Sequence, residues 1–380
     1  MREEPVTAVV TANDAFAADL YGVLTGDTRQ TVFSPVSVAA ALRMALCGAR
    51  GQTAAELGGA LHESPDAAAD ELCATSAAVH DVAADGSVTF RAPSIVWVQS
   101  GLPLRPEFTG QLGDAAAAAI ARVGFAEAPE AARAEINRVI AEQTAGKITG
   151  LLPAAAISDL TQLVLTSAIY LKAAWAERFA EAATRDAPFY PDGPDRPSLT
   201  VPMMHSTAAR AYRHGDRYQA VLLPYQGGQL AMAVVLPDGP LTTLRPAIAA
   251  DGLRGLLADT SRYQVTLSLP RFRVEAAFDL IPVLRRLGVR EAFTREADFS
   301  GITEAERLLI NAVAHKAYVD VDEQGTEAAA ATAISFRPTA AFRAPPAVTM
   351  TVDRPFLFVI FHTPTGTPLF VGQVSQPGVR

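Results

Sequence analysis

The segment from Glu323 to Pro355, near the C-terminal end of the chain, fits neither an ordinary loop nor an ordinary core strand. Strict alternation with a period of two is typical of a half-buried β-strand. Four consecutive alanines nevertheless give this segment a low strand propensity. We therefore expect a segment that can become a strand but is not held as one at rest. One face is Thr326, Ala328, Ala330, Thr332, Ile334 and Phe336, and the other, which carries both charges, is Glu327, Ala329, Ala331, Ala333, Ser335 and Arg337.

The bulk composition limits the function classes. The 380 residues are 49% apolar and 19% charged, which is ample for a large folded core. A net charge of -8 predicts no general attraction to nucleic acid or anionic membranes. The N-terminus lacks the basic start of a signal peptide, and no window resembles a membrane span. We expect a cytoplasmic protein by default, with release from the cell as the open alternative. The abundant alanine and scarce lysine are typical of a GC-rich bacterial genome.

The order of elements predicts one α+β domain over residues 1–380. The first 150 positions are mainly helical, with Asn13 predicted to cap a first helix and Ser34-Pro35 to begin a second. After about residue 160 strands predominate without a βαβ rhythm, which favours mixed or antiparallel sheets. No linker or repeat divides the chain.

Motifs for catalysis are missing. The sequence has no G-x-S-x-G, H-E-x-x-H or phosphate loop, and no histidine pair with zinc-ligand spacing, so no metal or cofactor is expected. Cys47 and Cys73 are predicted to be buried free thiols. A hydrolase that uses a serine–histidine pair is the weakest alternative, and a structural role is favoured for its candidates Ser34, Ser37, Ser167 and His315.

Seven motifs in one order resemble the serpin family over essentially the whole chain, and specifically an inhibitory member of bacterial type. They include F-S-P-V-S-V-A-A-A-L, V-P-M-M-H, D-E-Q-G-T-E-A-A-A-A-T and P-L-F-V-G-Q-V-S-Q-P. The motifs lie at residues 33–42, 163–179, 201–205, 297–302, 315–317, 322–332 and 368–377.

The resemblance implies a serpin fold of three β-sheets with eight or nine helices and an exposed reactive-centre loop at about residues 323–348. A target serine protease cleaves the loop as a substrate, and the cleaved loop inserts into the main sheet and traps the acyl-enzyme. The protein is expected to act as a monomer. The implied hinge is Glu323, Gly325, Thr326, Glu327, Ala328, Ala329, Ala330, Ala331 and Thr332, and the implied shutter and breach residues are Ser34, Ser37, Ser167, Trp175 and His315.

The hinge favours an inhibitor over a non-inhibitory serpin that serves as a chaperone or carrier. Its inward positions are small, and Gly325 supplies a flexible pivot. Glu327 falls on the outward face, where we expect its charge to be solvated. Ser167 departs from the family pattern, which has asparagine there, and this leaves the shutter network open because serine forms fewer hydrogen bonds.

The position of the cut stays open within five residues. Counting from the start of the hinge predicts cleavage between Thr339 and Ala340, whereas counting back from V-T-M-T-V-D-R-P-F predicts cleavage near Ala341-Phe342. Small residues predict an elastase-like or subtilisin-like target, and cleavage after Phe342 a chymotrypsin-like one. Arg343 lies late for a productive cut.

The region that would bind glycosaminoglycans in some relatives is Ala67 to Ala84. It contains acidic residues and one histidine but no lysine or arginine, so no glycosaminoglycan partner is expected.

Overall fold

The computed structural model describes residues 4–26, 30–84, 88–117, 119–327 and 346–378. Helices occupy much of the first 150 residues, and strands outnumber helices in the rest, which confirms the α+β class. The helices are α1 (Glu4–Leu24), α2 (Pro35–Gly48), α3 (Gly51–Leu61), α4 (Ala68–Ala84), α5 (Pro106–Ala117), α6 (Pro129–Gln143), α7 (Arg245–Gly255) and α8 (Ile281–Arg286).

Sixteen strands lie within the described ranges. They are β1 (Thr31–Phe33), β2 (Val88–Arg91), β3 (Ser94–Gln99), β4 (Ile120–Val123), β5 (Leu163–Ala174), β6 (Arg185–Phe189), β7 (Leu199–Gly215), β8 (Tyr218–Pro224), β9 (Leu230–Pro237), β10 (Ser261–Pro270), β11 (Phe272–Asp279), β12 (Ile310–Val321), β13 (Gly325–Thr326), β14 (Ala347–Thr351), β15 (Phe356–His362) and β16 (Thr367–Val374).

Hydrogen bonds join these strands into two networks. One has nine strands in the order β1-β16-β15-β9-β8-β7-β10-β14, with β6 also paired to β7. The other has seven strands in the order β11-β12-β13-β5-β3-β4, with β2 also paired to β5. The resemblance implies three sheets, and the 17-residue strand β7 explains the difference in counting. It pairs with β6 and β10 along most of its length and with β8 at its end, so it links two regions into one network.

Strand β5 is the centre of the seven-stranded sheet. All but one of its twelve residues are buried, as expected for an apolar strand covered on both faces. On one face, Ile136 and Ile140 of α6 pack in a cluster with Val164 and Ala168. Helix α6 therefore covers one face of β5, and the main hydrophobic core covers the other.

Local sequence signals place α2 behind this sheet. Ser34 caps the helix because its hydroxyl accepts a hydrogen bond from the Ser37 amide, and Pro35 occupies the first turn, as predicted. The prediction for Asn13 was wrong, because α1 begins at Glu4 and Asn13 lies inside it. The buried Asn13 amide oxygen instead accepts a hydrogen bond from Arg43.

Both cysteines are free, and the two differ in burial. Cys47 is buried as predicted, but Cys73 on α4 is exposed, so that part of the prediction was wrong. Within the described ranges, no helix is long and apolar enough to cross a membrane.

Candidate functional site

Strands β5 and β12 pair in parallel, and the two-residue strand β13 lies between them where this pairing ends. Leu163–Tyr170 of β5 pair with Ile310–Tyr318 of β12, and we call this stretch the central seam. Beyond it the two strands are separated by β13, which is antiparallel to both. Gly325 pairs with Ala174, and Thr326 pairs with both Ala173 and Val321. The predicted hinge thus begins as a strand between β5 and β12.

Glycine is required at position 325 for two reasons. Its φ is 150°, which lies outside the range that residues with a side chain ordinarily adopt. A Cβ atom there would also lie 2.1 Å from the Ala173 carbonyl oxygen. The backbone can therefore enter the gap beside β5 only without a side chain at this position.

Thr326 points into the core, as the alternation predicts. It is fully buried, and its hydroxyl lies 2.6 Å from the Tyr225 hydroxyl. Burial raises the pKa of Tyr225, so the phenol stays neutral. Trp175 stacks on Tyr225 with ring centroids 4.5 Å apart, and its Nε1 donates to the Asp322 carbonyl at 3.0 Å. Trp175 therefore packs against Tyr225, the hydrogen-bond partner of Thr326, and binds the backbone just before Glu323.

Glu323 anchors the base of the hinge to the neighbouring sheet. Its carboxylate is 3% exposed and forms an ion pair with Arg271, whose Nη2 lies 2.8 Å from Oε1. The Thr184 hydroxyl also donates to this carboxylate. Burial opposes ionisation, but the hydrogen bonds from Arg271 and Thr184 hold the pKa of Glu323 below its usual range. The side chain is thus a buried, paired anion.

Glu327 differs from the expectation of a solvated charge. Its side chain is only 11% exposed, and its carboxylate accepts hydrogen bonds from the Tyr170 hydroxyl and Lys147 Nζ, both at 2.6 Å. Tyr170 is the last residue of β5 that pairs in the central seam, and Lys147 lies in the segment that follows α6. Burial and the neighbouring carboxylate raise the pKa of Tyr170. With φ at 48°, Glu327 turns the backbone away from the strand direction.

A second cluster surrounds the fully buried His315, which pairs with Ser167 within the central seam. The Ser34 amide donates to Nε2 at 2.9 Å, and Ser167 Oγ lies 2.8 Å from Nδ1. Ser34 Oγ is 2.9 Å from Ser37 Oγ, and Ser94 Oγ donates to the Ser37 carbonyl at 2.9 Å. The cluster joins the N-terminus of α2 to β3, β5 and β12.

The protonation state of His315 follows from these contacts. Because Nε2 accepts from an amide, the ring proton resides on Nδ1 and faces Ser167. Burial lowers the pKa of His315 to about 4, so the ring is neutral near pH 7. Ser34, Ser37, Ser167 and His315 are at most 2% exposed, so the cluster offers no access to a substrate. This supports a structural role over the hydrolase alternative.

The structure divides the predicted site residues into two groups. One cluster contains Ser34, Ser37, Ser167 and His315. Trp175 belongs instead with the hinge, because it follows the end of β5 and lies about 26 Å from Ser167 at the usual rise per residue of a strand. The remaining predicted residues lie outside the described ranges, and they are Ala328, Ala329, Ala330, Ala331, Thr332, Thr339, Ala340, Ala341, Phe342 and Arg343.

Sequence reasoning missed the partners that hold the hinge and the cluster. These residues carry no motif of their own, and each becomes visible only when distant strands are paired. Across the described ranges, no group of His, Cys, Asp and Glu side chains has an arrangement suited to a metal ion. The missed residues are Ser94, Lys147, Tyr170, Tyr225 and Arg271.

Comparisons with known proteins cover nearly the entire chain. The profile of the family described as Serpin (serine protease inhibitor) matches residues 11–377. An uncharacterised serpin-like protein of Thermococcus kodakarensis is 37% identical over 99% of this chain and 88% of its own length. The leukocyte elastase inhibitor of Bos taurus is 36% identical over 96% and 98%, respectively.

Solved structures agree with the sequence matches. A crystal structure of maspin superimposes with a TM-score of 0.89 at 25% identity and covers 99% of this chain and 100% of its own. The family profile and the relatives agree with a fold in which the short strand β13 is paired between β5 and β12. The chain belongs to the serpin family of serine protease inhibitors.

Proposed function

We propose that this chain is a single-domain, suicide-type inhibitor of serine proteases that acts as a monomer. A target protease attacks the reactive-centre loop and forms an ester between its catalytic serine and the residue before the cut. The peptide bond breaks as the ester forms, and the segment after the cut leaves with the new amino terminus. The loop, no longer tethered to that segment, then inserts between β5 and β12 and carries the protease esterified to its end. The observation that carries the proposal is β13, in which Thr326 is already paired with both strands and Gly325 with β5.

The register of β13 supports this path. Extending it by six residues would set Thr332 opposite His315 and Ser167, which are themselves paired across the central seam. The inward positions would then enter a face that includes Ala173, Leu171 and Val319, all buried in one apolar cluster. Thr326, Ala328, Ala330 and Thr332 are small and uncharged, so they suit that face.

The energetics favour insertion once the loop is cut. Opening the seam breaks one ladder between β5 and β12, but the new strand forms two ladders in its place. The net gain is about one ladder, and at roughly 1 kcal/mol per hydrogen bond over about a dozen residues this is on the order of 10 kcal/mol. Burial of Ile334 and Phe336 adds to the gain.

Small residues around the proposed cut favour an elastase-like or subtilisin-like target. Thr339 and Ala340 suit a small apolar specificity pocket, whereas a cut after Phe342 suits a chymotrypsin-like enzyme. The bovine relative is named leukocyte elastase inhibitor, which supports the first class. Helix α4 contains Asp70 and Glu71 in its first turn, and we propose that inhibition needs no glycosaminoglycan.

The test is to incubate the protein separately with pancreatic elastase, subtilisin and chymotrypsin. We expect an SDS-stable complex with elastase or subtilisin. Mass spectrometry of the released C-terminal peptide identifies the cut, since its first residue is Ala340 for cleavage after Thr339. Clean cleavage without a complex, for all three enzymes, would instead indicate a non-inhibitory serpin.

A further inference from the structure

A cleft of about 690 Å³ lies on a part of the molecule that the hinge and its partners do not line. It is bordered by the end of α1, the turn after β6, the turn after β9 and the start of α7. Its volume falls within the range of small-molecule sites. Rigid apolar and aromatic surfaces contribute much of the wall, among them Tyr21, Tyr190, Pro191, Pro240 and Pro355.

Among the described residues, two arginines line the cleft, and only Arg354 is paired with a carboxylate. Arg354 donates to the Pro237 carbonyl at 2.9 Å and pairs with Asp353 at 3.1 Å, and Asp238 lies 4.0 Å away. Arg245 donates to the Thr25 carbonyl at 3.0 Å, and no carboxylate of the described residues forms an ion pair with it. A guanidinium has five N–H donors, so Arg245 retains donors for a ligand.

A buried hydroxyl in the wall of the same cleft forms no hydrogen bond within the described part of the chain. Ser375 is 2% exposed, and its Oγ forms no hydrogen bond with the described residues. Buried polar atoms are normally paired, and each exception calls for an explanation. The Ser375 hydroxyl is enclosed in the wall of the cleft, so donation to an acceptor oxygen in the cleft requires the side chain to rotate about χ1. The acidic residues Asp192 and Asp238 also line the cleft, and both are exposed.

We propose that this cleft binds a small aromatic carboxylate. The ring packs among the tyrosine and proline side chains, and the carboxylate accepts hydrogen bonds from Arg245 and, once the Ser375 side chain has rotated toward the cleft, from its hydroxyl. Charge-assisted bonds of this kind are the strong ones. The carboxylate therefore provides the selectivity and the ring the buried apolar area.

The experiment is isothermal titration of the intact protein with naphthalene-2-carboxylate, using naphthalene-2-carboxamide as the uncharged control ligand. We expect the carboxylate to bind about tenfold more tightly than the carboxamide. Arg245→Gln should remove that preference, and Ser375→Ala should weaken carboxylate binding several-fold. Arg262→Gln, at an exposed arginine on β10, is the matched control and should leave binding unchanged.

Several outcomes overturn the proposal. They are the absence of binding at millimolar ligand, equal affinity for the two ligands, and a carboxylate preference that survives in both Arg245→Gln and Ser375→Ala. Thermal unfolding of each variant shows whether it is folded, and Arg245→Lys, which keeps the charge, should retain part of the preference. No protease is present, so the result is independent of whether the chain inhibits one.

Discussion

At the scale of single residues, Thr326 is the most constrained position of the hinge. It is fully buried although the strand it belongs to has only two residues, because Ala173, Val321 and Tyr225 surround it. The sequence predicted its inward direction from alternation alone. The same reasoning was wrong about the environment of Glu327, because Lys147 is 180 residues away and no local pattern indicates that contact.

We expect Thr326→Arg to convert the inhibitor into a substrate. Because Thr326 is already buried beside Tyr225, an arginine there should displace β13 from its pairing in the resting protein. Insertion must then bury the unpaired guanidinium again at a cost of several kcal/mol, so it slows and the protease deacylates first. The measurement is the number of inhibitor molecules consumed per protease molecule inactivated, which should rise at least tenfold. Thr363→Arg, at an exposed threonine, is the control and should leave that number unchanged. An unchanged number for Thr326→Arg would mean that position 326 stays outside the inserted face.

The buried His315 predicts a specific pH dependence of stability. Its pKa is about 4 in the folded protein and 6.5 ordinarily, so the unfolded chain binds the proton first as the pH falls. The free energy of unfolding should therefore decrease between about pH 6.5 and pH 4, by on the order of 3 kcal/mol. Urea unfolding at pH 7, 5.5 and 4.5 measures this decrease. His315→Gln should lack this contribution, and identical pH profiles for the two proteins would contradict the assignment.

At the scale of elements, the proposed insertion would have to break the pairing of β5 with β12 in the central seam. The pattern after residue 160 predicted the predominance of strands there, and the Ser34 signal predicted α2. The long strand β7 was not predicted, because polar residues such as His205, Ser206 and Arg210 interrupt its pattern. Helix α7 was also missed, since it contains Pro246 and a Gly252 with φ at 68°. Tertiary pairing stabilises both elements where local propensity is weak.

Locking the seam should abolish inhibition without protecting the loop from cleavage. Ala168 of β5 and Lys316 of β12 are paired in register, so cysteines at both positions are close enough for a disulfide. Exposed Cys73 is replaced by serine to prevent exchange. We expect the oxidised double variant to be cleaved without forming a complex, and the reduced form of the same variant to form it. Equal inhibition by both forms would show that insertion does not require this seam to open.

At the scale of the whole molecule, the paired central seam coexists with a strand, β13, that already lies between β5 and β12 just beyond it. Glu323 is paired with Arg271 and Glu327 with Lys147, so residues 52 and 180 positions away hold the hinge in place. The family motifs predicted the architecture and the hinge segment. They did not predict these pairs, because the resting position of the hinge depends on contacts that only the folded chain creates.

The most direct test of the account is the melting temperature before and after cleavage of the loop by catalytic amounts of thermolysin, a metalloprotease that forms no acyl-enzyme and therefore cannot be trapped. If the cleaved loop inserts between β5 and β12, the added ladder should raise the melting temperature by more than about 10 °C. Intact protein carried through the same incubation with inactivated protease is the control. A cleaved protein that melts at the same temperature as the intact one would contradict insertion, and with it the proposed mechanism of inhibition.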